Sequence, residues 1–198
     1  MCPRPDVSAE RKKQIPESAM IVFSRKGFHQ ARKDDIVKQS VLSKGTIYWY
    51  FSNKDEIITT ILGDLFEREF ANLGEIQNEE GSASERLLKF MQLSLTDLMP
   101  MLKYMPLTYE FYAFALREET VRNTMKKHFR NYVELLIPII QQGIDSVEFR
   151  AINAEDAAIA AGAIFEGTIL LWVYDPETVD LDRCLETGFR LFLNGLKA

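Results

Sequence analysis

The sequence predicts an all-α protein with an N-terminal domain of three helices followed by a larger helical domain. Apolar residues recur at intervals of three and four along most of the 198-residue chain, as they do on the buried face of a helix. Strand-like alternation is rare, and the 46% hydrophobic content is enough for one sizeable core and a small satellite domain.

Charge separates the two parts of the chain. Residues 1–54 carry 11 Lys and Arg against 5 Asp and Glu, a net charge of +6, whereas residues 55–198 carry 13 against 24, a net charge of −11. A basic segment of this kind binds polyanions more often than an acidic body does. We therefore expect the two parts to have different partners.

The first helix is predicted over residues 8–26, where Ile15, Ala19 and Phe23 recur at helical spacing. Gly27 follows as a C-cap. Proline is tolerated only in the first turn of a helix, so Pro16 leaves two alternatives. The helix either begins near Pro16 or is kinked there, and we favour the kink.

A helix-turn-helix is predicted next. Residues 33–40 form a short polar helix, and Val41 and Leu42 make an apolar turn. Ser43 is placed to cap the following helix, because its hydroxyl can accept the amide of Gly45 or Thr46.

The third helix has two distinct faces. Ile47 and Phe51, four residues apart, are predicted to hold one face against the core. The opposite face carries a cation, a hydroxyl and two large aromatic side chains with polar tips, a combination suited to the major groove of DNA. These residues are Lys44, Thr46, Tyr48 and Trp49.

The run SKGTIYWYF over residues 43–51, followed by Asn53, Lys54, Asp55 and Glu56, resembles the DNA-binding signature of the TetR family of transcriptional regulators. The resemblance extends back through Phe23 to about Val7. It implies an operator of double-stranded DNA, with Thr46, Tyr48 and Trp49 facing bases or sugars and Lys54 meeting a phosphate. The full set of DNA-binding residues that we predict is Arg32, Lys33, Ser43, Lys44, Gly45, Thr46, Tyr48, Trp49, Tyr50 and Lys54.

Three residues depart from the family pattern. Ala31 stands where the family usually has a threonine that starts the second helix, and Val41 stands where a glycine usually makes the turn. Pro16 interrupts the first helix. None of the three removes the predicted recognition helix.

The larger domain is predicted to contain only helices. Residues 54–76 form a long amphipathic helix that leaves the first domain and enters the second. Further helices follow over residues 83–99, a pair broken by Pro100 and Pro106, and residues 120–144 with Pro138 inside. We place the DNA-binding domain at residues 8–68 and the effector-binding and dimerisation domain at residues 69–198.

Two helices close the chain, over residues 154–174 and 181–197. The first is apolar nearly all round, but Glu166 in its middle and acidic residues at both ends argue against a membrane span. An all-round apolar helix must be covered on both sides, and one small domain covers only one side. We therefore predict a homodimer through these helices, with interface residues Ala157, Ala160, Ala161, Gly167, Leu185, Phe189 and Phe192.

Enzymatic chemistry finds little support in the sequence. His29 and His128 are far apart, and no nucleophile triad or glycine-rich phosphate loop is present. Cys2 and Cys184 form no spaced pair, so we predict neither a disulfide nor a metal site, and no cofactor. We expect a cytoplasmic protein that is not an enzyme.

Two functions remain. The first is a repressor released from a near-palindromic operator by a small hydrophobic or amphipathic effector. The second is a DNA-binding adaptor that is regulated by a protein partner without a small molecule. A closed cavity in the body would favour the first, and its predicted wall is Phe66, Phe70, Tyr104, Tyr109, Phe111, Tyr112, Phe129, Tyr132, Phe165, Glu166 and Trp172. Glu166 either faces solvent or an interface arginine, or anchors a cationic or hydroxyl-bearing effector.

Overall fold

The computed structural model describes residues 8–73, 76 and 79–198, with side chains at all of these except 8, 9 and 68–73. Apart from one isolated antiparallel bridge between Phe149 and Lys197, the regular structure in these residues is helical. The helices are α1 Ser8–Lys26, α2 Lys33–Ser40, α3 Lys44–Tyr50, α4 Lys54–Leu73, α5 Ala83–Leu98, α6 Met105–Ala115, α7 Glu119–Asp145, α8 Ala154–Tyr174 and α9 Leu181–Leu196, with a 3-10 helix at Met99–Tyr104 between α5 and α6. The predicted all-α fold is confirmed.

Helix α1 is continuous through Pro16, so the alternative in which it begins near this proline is wrong. It ends at Gly27, whose φ of 75° is in the left-handed region that glycine adopts without strain. The amide of Gly27 donates to the carbonyl of Phe23 over 2.8 Å, which closes the last turn.

The described residues form two compact units, and the units are not continuous in sequence. The first consists of the described residues within 1–66 and 104–126, and the second of those within 67–103 and 127–198. Helices α4 and α7 each contribute residues to both. The predicted domain boundary between residues 68 and 69 stays a prediction. The division into compact units differs from it in one respect, because α6 belongs to the same unit as α1, α2 and α3.

The core of the first unit joins α6 to the helix-turn-helix. Phe23 of α1, Phe28 of the following loop and Phe111 of α6 are fully buried and pair edge to face, with ring centroids 5.3 to 6.0 Å apart. Such aromatic pairs contribute about 0.5–1.5 kcal/mol beyond their buried area. Other buried members are Ile15, Ala19, Val22, Ala31, Ile36, Ile47, Phe51, Ile57, Ile58, Ile61, Leu62, Leu107, Ala115 and Val121.

A polar contact reinforces this core. The Oε2 of Glu110, on α6, accepts a hydrogen bond from the backbone amide of Phe28 over 2.9 Å. The same carboxylate lies 3.7 Å from where a Cβ on Gly27 would be. Helix α6 therefore fixes the loop between α1 and α2 through both an apolar ring and a charged acceptor.

In the second unit, α7 contacts α5 and α8. At one end, the Glu148 carboxylate accepts the amides of Ala83 and Ser84, each over 2.8 Å, and so caps α5. Farther along, the rings of Phe90 and Tyr132 lie 5.6 Å apart. Tyr132 also packs on α8, because a Cβ on Gly162 would lie only 2.9 Å from the tyrosine ring.

Side chains cap helices α8 and α9 at their N-termini. Asn153 Oδ1 accepts the amide of Asp156, and Asp180 Oδ1 accepts the amide of Arg183, each over 3.0 Å. The two helices pack against each other with Leu185 and Phe189 buried.

One of these two helices, α8, is long and apolar enough by composition to cross a membrane. Only 28% of its most apolar window is buried inside the chain, so much of its apolar surface is exposed. By length and composition, α8 fits either a membrane span or a helix whose exposed apolar face binds a partner chain.

Candidate nucleic-acid interface

Helix α3 is a seven-residue helix fixed at both ends. The Ser43 hydroxyl accepts the amide of Thr46 over 3.1 Å, which confirms Ser43 as the N-cap. Ile47 is fully buried, and Phe51 at the C-cap is 3% exposed. Because both apolar anchors lie on one side, the helix presents its other side outward.

The outward face carries two aromatic side chains. Trp49 is 76% exposed and Tyr48 is 46% exposed. Burial of such rings is normally favourable, so leaving two of them on a short helix is costly unless a partner covers them. The rings of Trp49 and Tyr50 pack edge to face, with centroids 4.6 Å apart.

Lys33, the first residue of α2, contacts the C-terminal end of α3. Its ammonium donates to the carbonyls of Phe51 over 2.7 Å and Ser52 over 2.5 Å. It also lies 4.0 Å from the centroid of the Tyr48 ring, within cation-π range. Desolvation lowers the pKa of Lys33, and the charge of Glu56 opposes that shift.

Lys54, the first residue of α4, reaches the loop that precedes α2. Its ammonium donates to the carbonyls of Phe28 and Ala31, each over 3.0 Å. It lies 4.4 Å from the centroid of the Phe28 ring. Burial lowers its pKa.

Other charges lie at the surface of the helix-turn-helix. Lys44 pairs with Asp34 over 2.8 Å, and hydrogen bonding and the charge of Asp34 raise the pKa of Lys44. Exposed pairs of this kind contribute little to stability, so a phosphate can compete for the lysine. Asp35 accepts both Lys26 Nζ, over 2.6 Å, and the amide of Arg32, over 3.0 Å, and these contacts lower its pKa.

The turn between α2 and α3 is built without a glycine. Val41 has a φ of 58° and is 90% exposed. A β-branched residue in the left-handed region is strained, so neighbouring contacts must hold the turn. Gln14 Nε2 donates to the carbonyl of Ser40 over 2.9 Å, and the amide of Leu42 donates to the Ser40 hydroxyl over 3.3 Å.

The predicted DNA-binding residues therefore fall into two groups. Arg32, Ser43, Lys44, Gly45, Tyr48 and Trp49 are exposed, and Lys33, Thr46, Tyr50 and Lys54 are partly buried. The two lysines in the second group already have two acceptors each. These internal hydrogen bonds use two of the three N–H donors of each ammonium.

The predicted effector-binding residues are divided between the two units. Phe66, Tyr104, Tyr109, Phe111 and Tyr112 belong to the first unit, and Phe129, Tyr132, Phe165, Glu166 and Trp172 belong to the second. The side chain of Phe70 lies outside the described residues.

Two members of this set need correction. Phe111 is 1% exposed and packs between Phe23 and Phe28, so it is part of the helix-turn-helix core. Phe129 lies at the surface, so it does not line a closed cavity. Sequence reasoning placed both by their aromatic character, which does not reveal which neighbour they face.

Two ionisable groups of the second unit have shifted pKa values. Burial lowers the pKa of His128 to about 4. Desolvation raises the pKa of Glu166, although the residue itself is exposed on the surface of α8.

The predicted dimer residues also divide. Ala157, Ala161, Leu185 and Phe189 are at most 2% exposed within one chain, so their surface is already covered by their own unit. The outward stripe of α8 recurs every three or four residues instead. Its apolar members with exposed or partly exposed surface are Ile159, Ala160, Ala163, Gly167, Leu170, Leu171 and Tyr174.

Sequence reasoning missed the residues that hold the helix-turn-helix in place without belonging to its outward face. Glu110 is 82 residues from its partner Phe28, and no local signal points to that contact. Asn53 and Glu56 were noticed only as part of the family signature. Asn53 Oδ1 accepts the amide of Glu56 over 2.8 Å, and Glu56 Oε2 accepts the amide of Ser52 over 2.6 Å. This arrangement is related to a capping box, except that Glu56 accepts the amide of the residue before the cap, and its local spacing could have indicated it.

A capped, outward-facing helix behind a tight turn, on a basic unit, defines a class of protein: a DNA-binding regulator of the helix-turn-helix type. Comparison with known proteins agrees. A model of the bacterial regulatory proteins of the tetR family matches residues 15–61, and a model of the C-terminal domain of BetI-type transcriptional repressors matches residues 83–192. The chain belongs to the TetR family of transcriptional regulators.

Individual relatives span most of the chain. The HTH-type transcriptional regulator YfiR of Bacillus subtilis is 31% identical over 147 residues, which are 73% of this chain and 70% of that protein. The fatty acid metabolism regulator protein of the same organism is 25% identical over 188 residues, 92% and 94% of the two chains. A TetR transcription regulator from Haloarcula marismortui has the same fold, with a TM-score of 0.84 at 17% identity over 96% of this chain and 100% of that one.

Proposed function

We propose that the protein is a homodimeric repressor that binds a near-palindromic operator and leaves it when a small hydrophobic or amphipathic effector binds. The observation that carries the proposal is the outward face of α3, where Tyr48 and Trp49 are exposed on a helix capped by Ser43 and anchored by Ile47. Preorganised aromatic and hydroxyl groups on a short helix suit base edges and thymine methyl groups. The protein acts in the cytoplasm and is not an enzyme.

Dimerisation follows from the limited reach of one recognition helix. A single α3 of seven residues reads only a few base pairs. The exposed apolar stripe of α8, which includes Leu171 and Tyr174, offers a second copy a surface to cover. Two copies related by a twofold axis present two α3 helices to two half-sites.

The effector is proposed from the relatives and from the second unit. By name, relatives include the fatty acid metabolism regulator and QacR of Staphylococcus aureus, each about a quarter identical to this chain. A structural neighbour at 23% identity holds stearoyl-CoA, and another at 18% holds choline. In this chain Tyr132, Phe165 and Trp172 are partly buried aromatic residues of one unit, and side chains of this type commonly line apolar ligand sites.

Coupling is proposed to run along α4, which begins in the first unit at Lys54 and ends in the second at Leu73. An effector changes operator binding only if it binds two conformations with different affinity. By linkage, DNA must then weaken effector binding by the same factor.

The DNA arm of the proposal is tested by selecting a site from random duplexes and measuring its affinity. Trp49→Ala should weaken binding to the selected site by roughly 10- to 100-fold and flatten the preference among base-substituted sites. Leu116→Ala is the matched control, because Leu116 is also 76% exposed in the same unit but lies outside the helix-turn-helix. Equal effects of the two substitutions would contradict the assignment of α3 as the reading helix.

The effector arm is tested by screening acyl-CoA thioesters, fatty acids and quaternary ammonium compounds for operator release. A true effector should bind with a negative heat-capacity change, since apolar surface is buried. Glu166→Gln should weaken only the cationic compounds if this carboxylate anchors them. A broad screen that shifts neither thermal stability nor operator release would favour regulation by a protein partner.

A further inference from the structure

A carboxylate lies at the surface of the helix-turn-helix beside the first residue of the recognition helix. Asp34, in the first turn of α2, pairs with Lys44 of α3, and Asp34 Oδ1 lies 2.8 Å from Lys44 Nζ. Both side chains are 61% exposed. The Lys44 ammonium also lies 5.6 Å from the centroid of the Tyr48 ring, so the pair adjoins the exposed aromatic face of α3. We call Asp34 and Lys44 the α2–α3 ion pair.

The position of this carboxylate is unfavourable for general binding to DNA. Phosphates repel an acidic side chain beside α3, whatever the base sequence. Asp35 already supplies an acid to the first turn of α2, and it also accepts the Arg32 amide and the Lys26 ammonium. The pair of Asp34 with Lys44 is exposed, so it contributes little to stability. A group that opposes general binding and adds little to the fold indicates a role in selectivity.

The α2–α3 ion pair leaves hydrogen-bonding capacity on both of its side chains. An ammonium has three N–H donors, and the contact with Asp34 uses one of them. An ionised carboxylate accepts at about four positions, and the contact with Lys44 uses one of them. The pair can therefore donate hydrogen bonds at one end and accept them at the other end without separating.

This order of donors and acceptor matches one base pair in the major groove. A G·C pair presents two acceptors, guanine N7 and O6, followed by a donor, the cytosine N4 amino group. An N–H···O hydrogen bond joins N4 to O6, so these atoms lie roughly 2.9 Å apart. The two atoms of the ion pair are 2.8 Å apart. Lys44 can thus donate to guanine while Asp34 accepts from cytosine.

The other base pairs match this order less well. The reversed C·G pair and the A·T pair present the donor opposite Lys44 and the acceptor opposite Asp34. The T·A pair offers thymine O4 and adenine N6 in the matching order, but it has the thymine methyl group in place of the N7 acceptor. A carboxylate that meets an acceptor, or no donor at all, lowers the affinity for that sequence.

We propose that Asp34 is a specificity-determining residue that accepts a hydrogen bond from the N4 amino group of a cytosine, while Lys44 donates to the guanine of the same base pair. This proposal rests on the proposed function as a DNA-binding protein. It adds a residue of α2 to the predicted reading surface and assigns one G·C pair to each half-site.

Sites selected from random duplexes by the wild type and by Asp34→Ala, side by side, test the assignment. The wild type should select one G·C pair per half-site whose reversal to C·G lowers affinity by about 10- to 100-fold. In Asp34→Ala this ratio should fall by about fivefold or more, at a temperature where each variant is fully folded. Asp64→Ala is the matched control, because Asp64 is an exposed aspartate of α4 in the same unit. It should leave the ratio unchanged.

Modified bases test the two contacts atom by atom. N4-methylcytosine still pairs with guanine but carries a methyl group in place of the hydrogen that N4 directs into the groove, and 7-deazaguanine lacks only the N7 acceptor. N4-methylcytosine at the assigned position should weaken wild-type binding by about fivefold or more and leave Asp34→Ala unaffected. In the same way, 7-deazaguanine should weaken the wild type but not Lys44→Met.

An equal change at all sites in Asp34→Ala would overturn the proposal. A general gain in affinity would show that the carboxylate only repels phosphates, and a general loss would show that it only supports the fold. Equal sensitivity of the wild type and Asp34→Ala to N4-methylcytosine would also overturn it. A selected site without the required G·C pair refutes this proposal alone, whereas failure of the wild type to select any DNA site refutes the proposed function and this proposal together.

Discussion

Helices α3 and α8 both present a face that no other part of their own unit covers, but the chemistry of the two faces differs. The face of α3 carries Tyr48 and Trp49 beside the cation Lys44. The face of α8 carries small and aliphatic side chains such as Ala160 and Leu171. Polar-tipped aromatics and cations suit the edges and phosphates of DNA, whereas a largely apolar stripe on a helix that also exposes Glu166 suits an identical stripe on a second copy.

The two helices are also held in different ways. Helix α3 depends on hydrogen bonds, from the Ser43 cap and from Lys33. Helix α8 depends on close packing, since Gly162 lies under Tyr132 and Gly188 of α9 lies against Ile164. Removal of the Ser43 or Lys33 side chain should therefore change the orientation of α3. A larger side chain at Gly162 or Gly188 should instead disturb the packing of α8.

The largest expected effect comes from placing a charge on the α8 stripe. Leu171→Asp should convert the dimer to a monomer, because two aspartates would be buried in the symmetric interface. Operator affinity should then fall by about 100-fold or more, since the second half-site no longer binds intramolecularly. Analytical ultracentrifugation and binding titrations measure the two effects.

Leu116→Asp serves as the control for that variant, because it places the same charge on an exposed leucine of the first unit. It should leave the protein dimeric. A Leu171→Asp variant that remained dimeric would show that α8 does not form the interface.

The next effect is a dependence of stability on pH that arises in the second unit. Burial lowers the pKa of His128 to about 4 from its ordinary 6.5. Between these two pH values, His128 is protonated in the unfolded chain but not in the folded chain. Stability should be constant above about pH 6.5 and fall by about 3 kcal/mol on going down to pH 4. His128→Leu should remove this part of the pH dependence in urea titrations. An identical pH profile for the variant would contradict the desolvation of His128.

The smallest effect concerns the strained turn. Val41→Gly should raise the melting temperature by roughly 1–4 °C, because relief of the left-handed strain outweighs the added flexibility of the unfolded chain. Val147→Gly is its counterpart in the second unit, with a φ of 60°. Operator affinity should not change in either variant. A lower melting temperature for Val41→Gly would show that the valine makes a stabilising contact.

How well the sequence predicts this protein depends on the distance over which each interaction acts. The bounds of α2 and the Ser43 cap were predicted correctly because capping and turn signals lie within a few residues. The acceptors of Lys54 lie 23 and 26 residues away, and the partner of Glu110 lies 82 residues away. Such contacts depend on tertiary packing, and the sequence pattern alone contains no signal for them.

Helix α8 shows a second limit. The sequence predicts its bounds, but two of the four interface residues predicted on it, Ala157 and Ala161, lie on its buried face. A helix that is apolar nearly all round has little periodicity from which to read its orientation. The exposed side becomes visible only when the neighbouring α9 is in place.

The most direct test of this account is a hydroxyl-radical footprint of the wild-type protein on its selected DNA site, combined with the stoichiometry of the complex. We predict two protected half-sites related by a twofold axis, spaced by about one helical turn or a multiple of it, with both α3 helices of a dimer bound. The protection should be lost from both half-sites in Trp49→Ala. A single asymmetric footprint made by one chain would contradict the account.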